Sequence, residues 1–175
     1  MLPMPSDAGS VNPWGKRNQA GEWHPLADHC LDVAIVLRAL LDIDNLNRLG
    51  IADARLKDRL AGIAFLHDLG KCNWGFQAKA DPAATDTAGH GWEAVALLRD
   101  LGGMWPSEWR ALLTEICEWF GGDENATAAM LLAAISHHGR PLSLNDYQHA
   151  GWDRRARRHW QPRADYDPLQ ALDTL

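Results

Sequence analysis

The sequence predicts an all-α domain, and three observations carry that reading. Apolar residues recur at helical offsets in successive stretches. Glycine- and proline-containing breaks separate those stretches. No neighbouring segments alternate apolar and polar residues as a convincing strand pair would. The 175 residues are 46% hydrophobic and 23% charged, enough for one domain with its own core.

Residues 1–22 contain Pro3, Pro5, Gly9, Pro13, Gly15 and Gly21. They read as an irregular leader with an ordered turn around Trp14, Gly15 and Lys16, and residues 23–175 as the domain. Leu26, Cys30, Val33, Leu37, Leu40 and Leu41 place the first helix at about 26–41, with Pro25 at its start. His29 shares the face of Leu26, Cys30 and Val33 and is expected to point inward. Leu56, Leu60, Ile63 and Ala64 predict a second helix over about 52–69, ended by Gly70. His67 and Asp68 emerge at the end of that buried face. Residues 71–90 read as a loop, and a third helix follows from about Trp92 to Leu101, stopped by Gly102-Gly103. A fourth is expected from Pro106 or Ser107 to Phe120. The fifth, about Asn125 to His138, is apolar nearly all round, which predicts a helix buried in the middle of the domain. The last ten residues are weakly patterned.

The net charge of −6 gives no global basic surface for nucleic acid. Cys30, Cys72 and Cys117 form no CxxC pair, as in a reduced cytoplasmic chain. No signal peptide and no apolar run near 18 residues is found, so no membrane association is expected. The exception to the acidic balance is a basic run, Arg154, Arg155, Arg157 and Arg158, between Trp152 and Trp160. It reads either as a single-stranded DNA contact, by phosphate pairing and stacking, or as a solvated or partner-facing segment.

Histidine placement carries the chemical reading. His67-Asp68 can ligate one ion together, or the carboxylate can bridge two. His137-His138 ends the most apolar helix, where two unsatisfied imidazoles would be costly. His90 stands between two glycines at a helix start, and His29 faces the interior. Any one of them alone reads as a hydrogen-bonded core histidine. Their joint placement, at helix ends or on buried faces, points to a metal site that polarises phosphate and activates water. His24 is a supporting neighbour rather than a ligand. Trp23, Trp74 and Trp92 are expected to wall the site, and His149 and His159 to lie on the surface.

These blocks resemble a known family. The elements are Trp23-His24-Pro25-Leu26 with His29 and Asp32-Val33-Ala34, then His67-Asp68-Leu69-Gly70-Lys71 with Phe76-Gln77, then Gly89-His90, then His137-His138-Gly139-Arg140-Pro141. In order and spacing they resemble the HD nuclease domain of the CRISPR-associated type I nuclease-helicase, within the HD superfamily of metal-dependent phosphohydrolases. The resemblance runs from about residue 14 to 142 and implies an HD-type helical bundle with long irregular loops. It implies that His29, His67 and Asp68 bind one divalent ion, with Asp68 bridging to a second that His90, His137 and His138 complete. Mn, Fe, Ni, Co or Mg would serve. Asp68 and Lys71 would be catalytic, Lys71 facing the phosphate; read by itself, Lys71 is equally a solvated helix-end lysine. The implied partners are single-stranded DNA, the surveillance complex and a helicase in cis or in trans.

The chain departs from the family at one point. The family's last aspartate sits in a later helix, and Asp146, Asp153, Asp165, Asp167 and Asp173 offer no comparable context. No Gly-x-x-x-x-Gly-Lys-Ser/Thr loop occurs either. The domain is therefore expected to lack its C-terminal part and to contain no helicase. The rival readings are an HD phosphohydrolase of nucleotides and a catalytically weak partner-binding module.

Overall fold

The structure is a computed structural model that describes residues 12–43, 51, 53–100, 105–136, 141–142, 153–163 and 165–175. The described chain is mostly helical. Helix α1 is Leu26–Leu41, where the apolar spacing placed it. Helix α2 is Ala54–Phe65, with the Asp53 side chain capping the Arg55 amide. A 3₁₀ segment, Leu66–Cys72, follows without a break. Short helix α3 spans Trp74–Gln77. Then come α4, Gly91–Asp100, α5, Ser107–Trp119, and α6, Glu124–Ile135. Two short helices finish the chain, α7 at Asp153–Arg158 and α8 at Pro168–Leu172. Among the described residues no helix is long and apolar enough to cross a membrane.

Several expectations need correction. Residues 14–17, read as part of an irregular leader, form strand β1, Trp14–Arg17, paired antiparallel with β2, Trp23–Pro25. Strands of four and three residues, with an irregular register between Trp14 and Lys16, are too short to show alternation. The turn between them closes at Gly21, whose φ of +85° favours glycine. The predicted loop 71–90 contains α3. The weakly patterned C-terminus contributes Ala171 and Leu172, both fully buried.

The second helix was expected to run to residue 69 as one α-helix. It tightens at Leu66 instead, and every residue from Leu66 to Cys72 is buried. This 3₁₀ segment, rather than α6, occupies the centre. It packs against α1, α2, α4, α6, α8 and β1. Leu69 and Cys72 are fully buried beside Leu26, Cys30 and Leu97. Each fully buried leucine contributes about 1.5–3 kcal/mol.

Helix α6 buries Thr127, Leu131, Leu132 and Ile135 but exposes Ala129 and Ala133. Its outer side is apolar only because it is alanine. Alanine favours the helix while presenting little area to water, so an all-apolar composition did not require a central position.

Close approach explains two glycines. A Cβ at Gly70 would overlap the His90 carbonyl oxygen, and one at Gly75 would stand 2.6 Å from the Ala88 Cβ. Asn73, fully buried, ties this region together. Its side-chain amide donates to the Gly70 carbonyl at 2.7 Å and the Gly89 carbonyl at 2.8 Å, and its oxygen accepts from the Phe76 amide at 2.8 Å. The loop preceding His90 is thereby fastened to the 3₁₀ segment.

Candidate metal centre

The 3₁₀ geometry sets the site. With three residues per turn, positions i and i+3 eclipse one another. Asp68 and Lys71 are such a pair, and the Lys71 ammonium lies 2.7 Å from the Asp68 Oδ2. Lys71 is 7% exposed and also donates to the Gly15 carbonyl at 2.8 Å. It is therefore a buried cation clamped between β1 and Asp68, and the solvated-lysine alternative is excluded.

Three histidines converge on the same carboxylate, itself 1% exposed. The His29 Nε2, from α1, and the His67 Nε2 each lie 3.0 Å from Oδ2. The His90 Nε2 lies 3.3 Å from Oδ1. The His29 and His67 rings meet edge to face with centroids 5.2 Å apart. One ligand atom from each of His29, His67 and Asp68 falls within 4.8 Å of the others. Gly15 allows this approach: a Cβ there would meet the His29 Cβ at 3.0 Å.

The donor set fits a divalent transition-metal ion. Two imidazole nitrogens and a carboxylate suit borderline metals. The His67 Nδ1 donates to the Ala64 carbonyl at 2.8 Å, which leaves Nε2 as the lone-pair nitrogen. Burial pushes the His29 pKa below its ordinary value; Asp68 opposes the shift, and Lys71 and Lys16 reinforce it. A neutral imidazole is the form that ligates.

This shift has a sign that can be checked. The unfolded chain takes up the His29 proton below the ordinary value of 6.5, while the folded chain resists it until lower pH. Stability of the metal-free protein is expected to fall as pH drops from 6.5 through the folded pKa, and part of that slope to vanish in His29→Gln. Urea midpoints of the two proteins at pH 7.5 and 5.5 test this. Equal losses in both would refute it.

The other predicted residues are distributed as follows. His24 lies outside the ligand group; its Nε2 is 2.9 Å from Asp32 and its ring 6.1 Å from His29. His137, His138, Asp146, His149 and Trp152 fall outside the described residues, as do the side chains of Arg154 and Arg155. Arg158 pairs with Asp86 at 2.5 Å, and Arg157 is half-buried. Trp23 is 41% exposed on the hairpin, and Trp92 is half-buried. Trp74 packs edge to face on His159 at 4.6 Å.

His159 was expected on the surface and is 1% exposed. It lies between Asp86, at 3.7 Å, and Glu93, at 4.0 Å. Its sequence neighbourhood is basic and polar. Only the packing of the chain after α7 onto α3 and α4 buries it.

Sequence reasoning quoted Phe76 within a motif block but gave it no role at the site. Its ring touches His90 at 5.3 Å and Trp14 at 4.7 Å, and underlies the Lys71 ammonium at 5.4 Å. The signal was its nearness to the motif lysine, which alone does not separate a site wall from core. The carbonyls of Ala64 and Gly15 were missed as well, because backbone atoms leave no trace in composition.

A helical domain whose central 3₁₀ turn presents His-Asp to an inward-facing histidine belongs to the HD class of metal-dependent phosphohydrolases. Within that class, the profile described as Cas3, HD domain matches residues 14–174, so the chain belongs to this family of CRISPR-associated HD nucleases. Searches of curated proteins and of solved structures found no match.

Proposed function

We propose that this chain hydrolyses phosphodiester bonds of single-stranded DNA during CRISPR interference. The convergence of His29, His67 and Asp68, with ligand atoms within 4.8 Å of one another, is the observation that carries this reading. These three residues would hold one divalent ion. Asp68 would bridge to a second, held by His90, His137 and His138; Mn, Fe, Ni, Co or Mg is the candidate metal. When bound, the ions supply Lewis-acid polarisation of the phosphate and activation of water.

The chain's own residues prepare that chemistry. The Ala64 carbonyl orients His67, and the Lys71 ammonium holds the Asp68 carboxylate in place. The same ammonium offers a fixed positive charge as phosphate charge builds. Phe76 excludes water from one side of His90 and Lys71. None of these contacts reads a base, so no sequence preference is expected. A helicase, in cis or in trans, and the surveillance complex would supply the unwound strand in the cytoplasm.

Circular single-stranded DNA incubated with the protein and Mn²⁺, Ni²⁺, Co²⁺ or Mg²⁺, without ATP, should be cut. His67→Ala/Asp68→Ala should leave it intact, a loss of at least about 10³-fold, consistent with removal of metal ligation. Faster hydrolysis of a mononucleotide than of the circle would refute the DNA reading. No cutting with any metal would refute the nuclease reading.

A further inference from the structure

We propose that Lys16 and Lys79 form a cationic seam that grips the phosphates of a single DNA strand beside the scissile bond. The inference rests on the nuclease reading and adds to it where the strand lies.

Strand β1 and the turn after α3 run side by side. The Trp14 amide donates to the Gln77 Oε1 at 3.0 Å, and the Gln77 Nε2 donates back to the Trp14 carbonyl at 3.1 Å. Three residues further along each segment, the Arg17 guanidinium donates to the Ala80 carbonyl at 3.0 Å. Lys16 and Lys79 lie between these two fastenings, and both are exposed.

The seam borders the metal centre. Lys16 follows Gly15, whose carbonyl holds Lys71 and where an added Cβ would meet the His29 Cβ at 3.0 Å. The Lys79 ammonium stands 4.8 Å over the Phe76 ring, the ring that touches His90 and Lys71. Burial lowers the Lys79 pKa, Glu93 opposing and Lys71 reinforcing the shift.

The other cations near this end are already committed. Lys71 is paired with Asp68, Arg158 with Asp86, and Arg17 with a carbonyl. Among the described residues neither the Lys16 nor the Lys79 ammonium has a hydrogen-bond or carboxylate partner. Two acids close in sequence have other donors: Glu22 accepts from Asn18 at 2.6 Å, and Asp81 from the Ala83 amide at 2.8 Å; Glu93 acts on Lys79 only through its field. Two exposed cations without a hydrogen-bond or ion-pair partner among the described residues, beside a candidate phosphodiesterase centre in a chain of net charge −6, are suited to phosphate oxygens. The strand would then be gripped at this seam rather than at the basic run 154–158.

The test compares Lys16→Glu/Lys79→Glu with Arg55→Glu/Arg99→Glu, which changes charge equally at the far ends of α2 and α4. Each is titrated with a fluorescein-labelled oligothymidylate in EDTA, across a salt series. Both are then loaded with Mn²⁺ and assayed on the oligonucleotide and on bis(p-nitrophenyl) phosphate, which has a single phosphate. The seam variant should bind at least about tenfold more weakly, with a salt slope smaller by about 1.4, at about 0.7 per lost contact. Its KM for the oligonucleotide should rise by a similar factor, with turnover of the single-phosphate ester unchanged. Binding within twofold of wild type, an equal loss in the control, or an equal loss on the small ester would overturn the seam. Wild-type protein that cuts neither substrate would overturn the nuclease reading itself. Thermal unfolding of each variant separates these outcomes from loss of fold.

Discussion

Asp68→Asn is expected to lower the stability of the metal-free protein by about 3–5 kcal/mol, the cost of stranding a buried charge. The Lys71 ammonium is 7% exposed and its carboxylate partner 1% exposed. Asparagine keeps the shape and can accept a hydrogen bond, but it returns no charge. The residual Gly15 carbonyl contact is a single neutral acceptor. Replacing the cation as well, in Asp68→Asn/Lys71→Met, should recover much of the loss, because no buried charge is then left unpaired. Both variants should fail to bind Mn²⁺ by calorimetry, since they remove the carboxylate from the donor set. Urea denaturation in EDTA reads the stability. A single variant as stable as wild type would show that Lys71 does not depend on Asp68. A double variant as unstable as the single would place the cost elsewhere.

Gly70→Ala should have the second large effect. The added methyl would overlap the His90 carbonyl and stand 2.9 Å from the Ala94 Cβ. The obstacle is backbone on a helix packed against the 3₁₀ segment, so no side-chain rotation relieves it. Either α4 shifts and carries His90 away from Asp68, or the core opens. The expected loss is about 3 kcal/mol or more, beyond ordinary overpacking. Gly91→Ala is the internal comparison. It lies in the same helix, and a methyl there meets nothing within 4 Å. That substitution should be neutral or stabilising by up to about 1 kcal/mol. Thermal melts of the three proteins check both expectations. A Gly70→Ala melt within a few degrees of wild type would mean that the approach of α4 is looser than these distances.

The longer helices, α1, α2, α4, α5 and α6, were legible from apolar spacing and breaks, whereas the short α3, α7 and α8 were not. Leu26, Cys30 and Leu41 marked α1 by spacing alone, and glycine or proline marked most ends. The short β1–β2 ribbon was illegible because its strands are too brief for alternation to register. The depth of α6 was misread because alanine scores as apolar whether covered or not.

The candidate site was legible as residue types. His29, His67, Asp68 and His90 were singled out by unusual polar placement on apolar faces. What they do to one another was not. That Lys71 is buried follows from the change from 3.6 to three residues per turn at Leu66, which apolar periodicity extended as plain α-helix. That His159 is buried follows from packing between segments far apart in the chain.

By itself, then, the sequence determined the helical class, the position of α1, and which histidines and aspartate are candidates for a metal site, because these depend on local spacing and residue type. Only the tertiary structure decided which groups meet. It closed β1 over Lys71 and set three imidazoles around one carboxylate. It also fastened β1 to the turn after α3. Such contacts join residues tens of positions apart, and their geometry is fixed by excluded volume and hydrogen-bond satisfaction across the whole core.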